Sequence, residues 1–107
     1  NAVVDAILDL VRACRPDDAS ASKEVPEAVA WGPGPRAAQA LMLTVRARAL
    51  LEGRLTPSLE DVAAMAVPVI KHRMALSFVA RAQGVDLEAL ISSVVADLGT
   101  GSKAARL

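Results

Sequence analysis

Aromatic side chains are scarce in this sequence of 107 residues, which has one tryptophan, one phenylalanine and no tyrosine. β-Sandwiches and β-barrels draw heavily on aromatic and β-branched residues, so the scarcity argues against both. Hydrophobic residues still make up 53% of the chain, and alanine and leucine, two strong helix formers, supply much of that share. The composition therefore predicts an all-α fold, a small bundle of about four or five helices forming a single domain over residues 1–107.

Cysteine, net charge and long apolar runs are also lacking, and each absence excludes a class of protein. The lone Cys14 cannot form an internal disulfide or a multi-cysteine metal site, and it favours a reducing cytoplasm. Twelve basic residues balance twelve acidic ones, so nucleic acid is not an expected partner, because its binding depends on neutralised phosphates. The longest apolar run, residues 62–70, falls far short of the ~20 residues that cross a bilayer, so no membrane association is expected.

The spacing of apolar residues predicts four helices. They are expected at 3–15 (ended by Pro16), 35–52 (ended by Gly53), 58–68 (ended or kinked by Pro68) and 86–98 (closed by Gly99). The second helix is apolar almost all round, which predicts a central helix buried against several neighbours. Residues 3–98 form the predicted core of the domain, and residues 99–107 a predicted flexible tail.

Two segments between these helices lack a clear helical spacing. Residues 16–30 are polar and contain two prolines, which predicts a loop. Residues 69–83 fit either a helix or a short strand at 75–79 that pairs with 28–31, because apolar residues alternate from Met74 to Ala80. Trp31, at the end of the first partner segment, is predicted to be a core anchor.

Catalytic chemistry finds little support among the residues. A phosphate-binding loop of the Gly-x-x-x-x-Gly-Lys type and a Gly-x-Ser-x-Gly elbow are both missing. Residues 32–35, Gly-Pro-Gly-Pro, do not replace such a loop, because proline lacks the N–H donors that it aims at phosphate oxygens. His72 has no metal-ligand companion at a usable spacing, and Cys14 lies on the apolar face of its helix. No catalytic residue and no metal site are therefore predicted.

Arg36 is a cation at a position where a helix disfavours one. It falls in the first turn of the helix that begins at Pro35, and a positive charge there opposes the helix dipole by roughly 0.3–1 kcal/mol. A bound anion would remove that penalty, because free N–H groups and a guanidinium would converge on it. The alternative is a solvated arginine on a tight turn, and the residues alone leave both interpretations open.

The other basic residues also have two interpretations each. Arg46, Arg48 and Arg54 form either a basic interface stripe or a set of solvated or locally paired charges, and their angular spread around the helix favours the second. His72 and Arg73 either contact another part of a larger protein or form an exposed or satisfied pair, and again the second is favoured.

Five segments, in order along the chain, resemble the C-terminal lid of MoxR-type AAA+ ATPases. They are residues 10–16, 31–41, 46–54, 60–62 and 69–77. The second resembles the Gly-Ala-Ser-Pro-Arg-Ala turn of that family, and the last resembles its Val-Leu-Arg-His-Arg-Leu-x-Leu-Ser segment. This sequence departs from the pattern at Pro33-Gly34, which stand in place of Ala-Ser, and residues 17–30 do not align.

The resemblance implies the helical lid of a longer, chaperone-like ATPase. Arg36 then corresponds to the sensor 2 arginine, which reads the γ-phosphate of ATP in its own subunit or in a neighbouring one. ATP and Mg²⁺ belong to the longer protein, whereas this chain, which lacks Walker motifs, is expected to hold neither and to be inactive alone. The implied partners are its own AAA+ core, neighbouring subunits of a hexameric ring and a von Willebrand factor A protein. The alternative is a stand-alone helical module that binds DNA or another protein.

Overall fold

The computed structural model describes the backbone of residues 2–106 and the side chains of residues 2–98. In this part of the chain six α-helices, a 3-10 turn (Lys71–Arg73) and two short strands follow one another. They are α1 (Ala2–Ala13), α2 (Val25–Ala28), β1 (Val29–Trp31), α3 (Pro35–Leu51), α4 (Leu59–Ile70), β2 (Ala75–Leu76), α5 (Phe78–Ala82) and α6 (Leu87–Arg106). The predicted all-α bundle with a minor two-stranded pairing is confirmed. None of the described helices is both long and apolar enough to cross a membrane.

Helices α1, α3, α4 and α6 enclose one hydrophobic core. α1 packs against the other three, and α4 packs against α3 and α6, so α1 and α4 lie in the middle of the bundle. Their apolar residues recur three and four positions apart, which places these residues on one face of each helix. The largest fully buried aliphatic side chains include Ile7, Leu10, Leu41, Val45, Ile70, Ile91 and Val94.

The prediction that the helix at 35–52 is central and buried all round is wrong. One face of α3 packs onto α1 and α4, while Leu43, Leu50 and Leu51 on other faces are 68%, 63% and 88% exposed. An apolar composition shows that burial would be favourable, but not that another element of the chain covers the surface. The buried face consists of Ala37, Leu41, Val45 and Ala49.

Pro68 does not end the helix predicted at 58–68. This helix, α4, continues to Ile70 and is followed by the 3-10 turn. Proline removes one backbone hydrogen bond, the one to the carbonyl four residues earlier, at Ala64. Ala64 and Pro68 both lie on the exposed side of α4, where water can satisfy the freed carbonyl. Only two helical residues follow Pro68, so the disruption is small.

The pairing predicted between 28–31 and 75–79 is confirmed, although the second strand is shorter. β1 and β2 run antiparallel, with Val29 opposite Leu76. The strand stops there because Ser77 begins α5: its hydroxyl accepts a hydrogen bond from the Ala80 N–H at 3.1 Å. Its own N–H donates to the Ala28 carbonyl at 2.8 Å. The alternation of apolar residues suggested a strand that continues to residue 79. Phe78 instead lies at the start of α5, where it is 86% exposed.

Two further expectations between residues 16 and 31 need correction. The predicted loop at 16–30 contains α2 and most of β1, because Pro26 suits the first turn of a short helix. Trp31 is not a core anchor: it is 57% exposed, whereas Val29 is the residue of β1 that enters the core. The pairing of β1 with β2 shifts register between Val29 and Trp31, so alternation from the buried Val29 does not carry Trp31 into the core.

The last helix does not end at Gly99 as predicted, since α6 continues to Arg106. A glycine within a helix costs only about 1 kcal/mol relative to alanine, which does not by itself stop the helix. The predicted flexible tail at 99–107 lies outside the residues whose side chains the structure describes.

The approach of the turn before α3 to the end of α1 gives a stability test. A Cβ added at Gly32 would lie 2.7 Å from the Cys14 carbonyl oxygen and 2.8 Å from the Arg15 Cα. Both are backbone atoms, so Gly32→Ala should shift the turn at a cost of roughly 1–3 kcal/mol. Thermal unfolding followed by circular dichroism should show a melting temperature lower by about 5–15 °C.

Gly34→Ser is the matched control for Gly32→Ala. No atom lies within 4 Å of a Cβ at Gly34, and serine is a better helix N-cap than glycine. The melting temperature of this variant should hold or rise, and equal losses in both variants would contradict the close-approach argument.

Candidate functional site

The turn at 32–35 positions the start of α3. Gly32 contacts the backbone at the end of α1, and Pro33 is fully buried, so the turn is fixed to the bundle. Gly34 is the N-cap residue, with an extended backbone and no side chain to cap the helix. Pro35 follows at the first helical position, where its missing N–H has no intrahelical acceptor to lose.

Arg36 lies in this first turn and points into solvent. Within the side chains described, it is exposed and makes no hydrogen bond or ion pair, and the first turn of α3 has no acidic residue. The guanidinium is thus not held by a carboxylate, and neither is it buried among aliphatic side chains. The arrangement can bind an anion, because a helix N-terminus and a free guanidinium both favour negative charge. The role of Arg36 as a nucleotide sensor stays a prediction.

The other arginines of α3 and the following turn divide into two groups. Arg48 and Arg54 are paired locally, with Asp61 and Glu52, which confirms the interpretation that the sequence favoured for them. Arg46 is exposed and has no hydrogen bond or ion pair among the described residues. Arg73 donates to the Val69 carbonyl at 3.4 Å.

Asp61 is the centre of an ionic cluster that sequence reasoning missed. Its side chain is fully buried at the start of α4. Arg54 binds both carboxylate oxygens, at 2.6 and 2.7 Å, and Arg48 binds Oδ1 at 2.5 Å. The backbone N–H of Ser58, the N-cap residue of α4, donates to Oδ2 at 2.7 Å. The cluster therefore joins the end of α3 to the start of α4.

The sequence carried part of the signal for this cluster. Ser58 and Asp61 have the spacing of a capping box, in which the acid accepts a hydrogen bond from the backbone N–H of the N-cap residue. The spacing could not show that both arginines reach the same carboxylate, since Arg48 lies thirteen residues from it. Only the turn at 52–58 brings these groups together.

The electrostatics of the cluster favour a charged Asp61. The hydrogen bond from Arg54 has the largest effect on the pKa of Asp61, and those from Ser58 and Arg48 add to it. Together they hold this pKa well below its usual range, although burial opposes the shift. In turn, hydrogen bonds to Asp61 and Glu52 raise the pKa of Arg54 above its ordinary value. We call Asp61, Arg48, Arg54 and Glu52 the Asp61 clasp. Both of its arginines are paired with its carboxylates, so it leaves no free cation for a ligand.

Asp61→Asn should destabilise the domain, because it leaves two arginines without their shared buried anion. We expect the melting temperature at pH 7 to fall by roughly 10 °C. Because the pKa of Asp61 is lower in the folded state than in the unfolded one, the stability that its charge contributes is complete above about pH 4. It is lost progressively as the pH falls toward the folded-state pKa. The difference in melting temperature between the two proteins should therefore narrow as the pH falls from 4 to 2.

Glu52→Gln is the control for Asp61→Asn. Glu52 touches the same two arginines, at 3.2 and 2.7 Å, but half of its side chain is exposed. Exposed ion pairs contribute little, so its melting temperature should change by only about 1–3 °C. A larger loss than that of Asp61→Asn would contradict the central role of the buried carboxylate.

Cys14 and His72 are the other residues that the sequence offered for chemistry. Cys14 is fully buried, and burial raises the pKa of its thiol to about 11, as expected for an unreactive core cysteine. His72 is exposed. Among the described residues no group of three or more His, Cys, Asp or Glu side chains is placed to hold a metal ion.

The raised pKa of Cys14 gives a prediction at alkaline pH. The thiol ionises near pH 9 in the unfolded chain and near 11 in the folded one, so the unfolded chain loses its proton first. The stabilising contribution is therefore complete below pH 9, and the free energy of unfolding should fall by roughly 2 kcal/mol between pH 9 and 11. Urea unfolding of Cys14→Ala should lack this part of the pH dependence, whereas identical slopes would show that the thiol is not desolvated.

Comparison with known proteins places this geometry in a class. The sequence profile of the AAA lid domain family matches residues 21–94, and the chain belongs to that family. Within it, the chain is a lid of the MoxR type. It is 30% identical over 95 residues to the chaperone MoxR1 of Mycobacterium tuberculosis, an alignment that covers 89% of this chain and 25% of that protein.

A solved structure has the same fold. The chain superposes on the crystal structure of a "putative ATPase" from Cytophaga hutchinsonii with a TM-score of 0.81 and 25% identity, over 89% of this chain and 29% of that one. This chain thus spans between a quarter and a third of the length of the proteins that it matches.

Proposed function

We propose that this chain is the nucleotide-sensing lid of an ATP-driven, chaperone-like ring of the MoxR type. The observation that carries the proposal is the free Arg36 guanidinium at the N-terminus of α3. The matches to MoxR1 and to a solved structure called an ATPase support the setting. The arginine follows a proline in the turn that resembles the sensor 2 turn of the family.

The chemistry of sensing follows from charge and geometry. The γ-phosphate of ATP is the most negative part of the nucleotide, and it is lost on hydrolysis. Arg36 would donate charge-assisted hydrogen bonds to it, and the first turn of α3 would add its partial positive charge. ATP and Mg²⁺ would be held by the ATPase portion of the longer protein, because residues 1–107 contain no phosphate-binding loop.

Binding at Arg36 would move the lid as one body. Gly32 fixes the turn before Arg36 to α1, and the Asp61 clasp fixes the other end of α3 to α4. A pull on the guanidinium is therefore transmitted to the bundle rather than absorbed by a mobile segment. The proposal includes packing against the protein's own AAA+ core and the neighbouring subunits of a hexamer, with a von Willebrand factor A protein as a partner in the cytoplasm.

Arg36→Ala in the longer ATPase tests the sensor role. We expect ATP turnover to fall by roughly a hundredfold to a thousandfold, the usual range for losing one donor to transition-state charge. The melting temperature of the 107-residue chain should hold or rise slightly, because removing this cation also removes its conflict with the helix dipole.

Arg46→Ala is the matched control in the same helix. Arg46 is also exposed and unpaired among the described residues, but it lies ten positions further along α3, away from the N-terminal turn. Its loss should leave turnover close to that of the wild type. Unchanged turnover in Arg36→Ala, or an equal loss in both variants, would refute the sensor role.

A further inference from the structure

Leu43 projects from the side of α3 that carries Arg36. The two residues are seven positions apart, which is two helical turns to within about 20° and a rise of about 10 Å. Leu43 is 68% exposed, and no described element of the chain covers it. Its neighbours one turn away on this side are Ala40 and Ala47, whose side chains are short. Leu43 is thus a single apolar side chain that stands above its surroundings, two turns from the free guanidinium.

The chain itself closes the other approaches to Arg36. The turn at 32–35 lies before the N-terminus of α3 and is fixed to the end of α1, with Pro33 fully buried. The opposite face of α3, from Ala37 to Ala49, packs in the core. A phosphate held by another folded unit therefore reaches Arg36 from the exposed side of α3.

The size of such a unit brings it over Leu43. A charge-assisted hydrogen bond is only about 2.7–2.9 Å long, so the unit that holds the phosphate contacts the first turn of α3. Even a folded unit of 100 residues has a radius of gyration of about 13 Å, which exceeds the rise from Arg36 to Leu43. This chain spans only a quarter to a third of the proteins that it matches, so the rest of the longer protein is large enough.

We infer that Leu43 inserts into an apolar pocket of the ATPase portion of the longer protein and thereby positions Arg36 at the γ-phosphate. This inference rests on the proposed function and adds to it the residue that docks the lid. An arginine side chain has many rotamers, so one guanidinium does not fix the orientation of a rigid bundle, whereas a second contact two turns away does. Leu43 is a positioning residue, since it touches no nucleotide and acts through Arg36.

A double-mutant cycle in the longer ATPase tests this role. Leu43→Ala should lower ATP turnover by roughly tenfold, because burial of the leucine side chain holds the lid on the ATPase portion. Leu43→Met keeps the apolar volume and should restore most of the turnover. In the Arg36→Ala background, Leu43→Ala should have no further effect, because Leu43 acts only through Arg36. A loss that came from misfolding would instead add to that of Arg36→Ala.

Leu51→Ala is the matched control. Leu51 is more exposed than Leu43, at 88%, but it lies fifteen positions from Arg36, about 60° round the helix and near its other end. Its loss should leave ATP turnover close to that of the wild type. The melting temperature of the 107-residue chain should hold in both leucine variants, because both side chains are exposed in it.

Photo-cross-linking in the longer ATPase locates the contact without relying on turnover. Benzoylphenylalanine in place of Leu43 should link the lid to a peptide of the ATPase portion, which mass spectrometry identifies. A slowly hydrolysed ATP analogue should increase this link, whether it forms within one subunit or between two. The same group in place of Leu51 should give no link that responds to the nucleotide.

Three results would overturn the inference: no link from position 43 to the ATPase portion, a link from position 43 to the lid of a second copy instead, or additive losses in the double variant. If Arg36→Ala lowers turnover and Leu43→Ala does not, the sensor role stands and the positioning role fails. If Arg36→Ala leaves turnover unchanged, the sensor role itself fails, and the link from position 43 still shows whether the ATPase portion covers Leu43.

Discussion

A single buried carboxylate sets the position of α3, the helix that carries Arg36. Asp61 is closed off from water, so its charge is tolerable only because Arg48, Arg54 and the Ser58 N–H all reach it. These contacts fix the last turn of α3 to the first turn of α4. Without them the turn at 52–58 would be held mainly by the backbone hydrogen bonds that end α3, such as that from the Arg54 N–H to the Ala49 carbonyl at 2.8 Å, and the rotation of α3 about its axis would be less constrained.

The N-terminal end of α3 is held by a close backbone contact rather than by ion pairs. Gly32 lies so close to the end of α1 that no side chain fits between them, which brings the turn at 32–35 down onto the bundle. With both ends fixed, α3 presents one face to the core and the opposite face to solvent. Arg36 lies on this outer side, so the proposed anion site has a rigid support.

Sequence reasoning predicted what depends on local pattern. Helix positions, the Ser58 start of α4 and the pairing of β1 with β2 follow from spacing, capping and alternation, and so does the place of Arg36 in the first turn of α3. The errors concern the short helix α2, the end of α6 and, above all, which surfaces are covered by other elements. Neither the exposure of Trp31 nor the uncovered leucines of α3 could be read from composition, because burial depends on which surfaces the tertiary arrangement covers. The family resemblance, by contrast, rested on motif order and agrees with the profile match.

The polar contacts of the domain differ greatly in how far apart along the chain their partners lie. Arg54 and Asp61 are separated by seven residues, so the pair α3–α4 can close while the rest of the chain is still unordered. The bond from the Ser77 hydroxyl to the Glu27 carbonyl spans fifty residues and needs most of the bundle in place. Folding is thus expected to begin as a local helical hairpin, and the small sheet to form late, as the closure that ties the first third of the chain to the last.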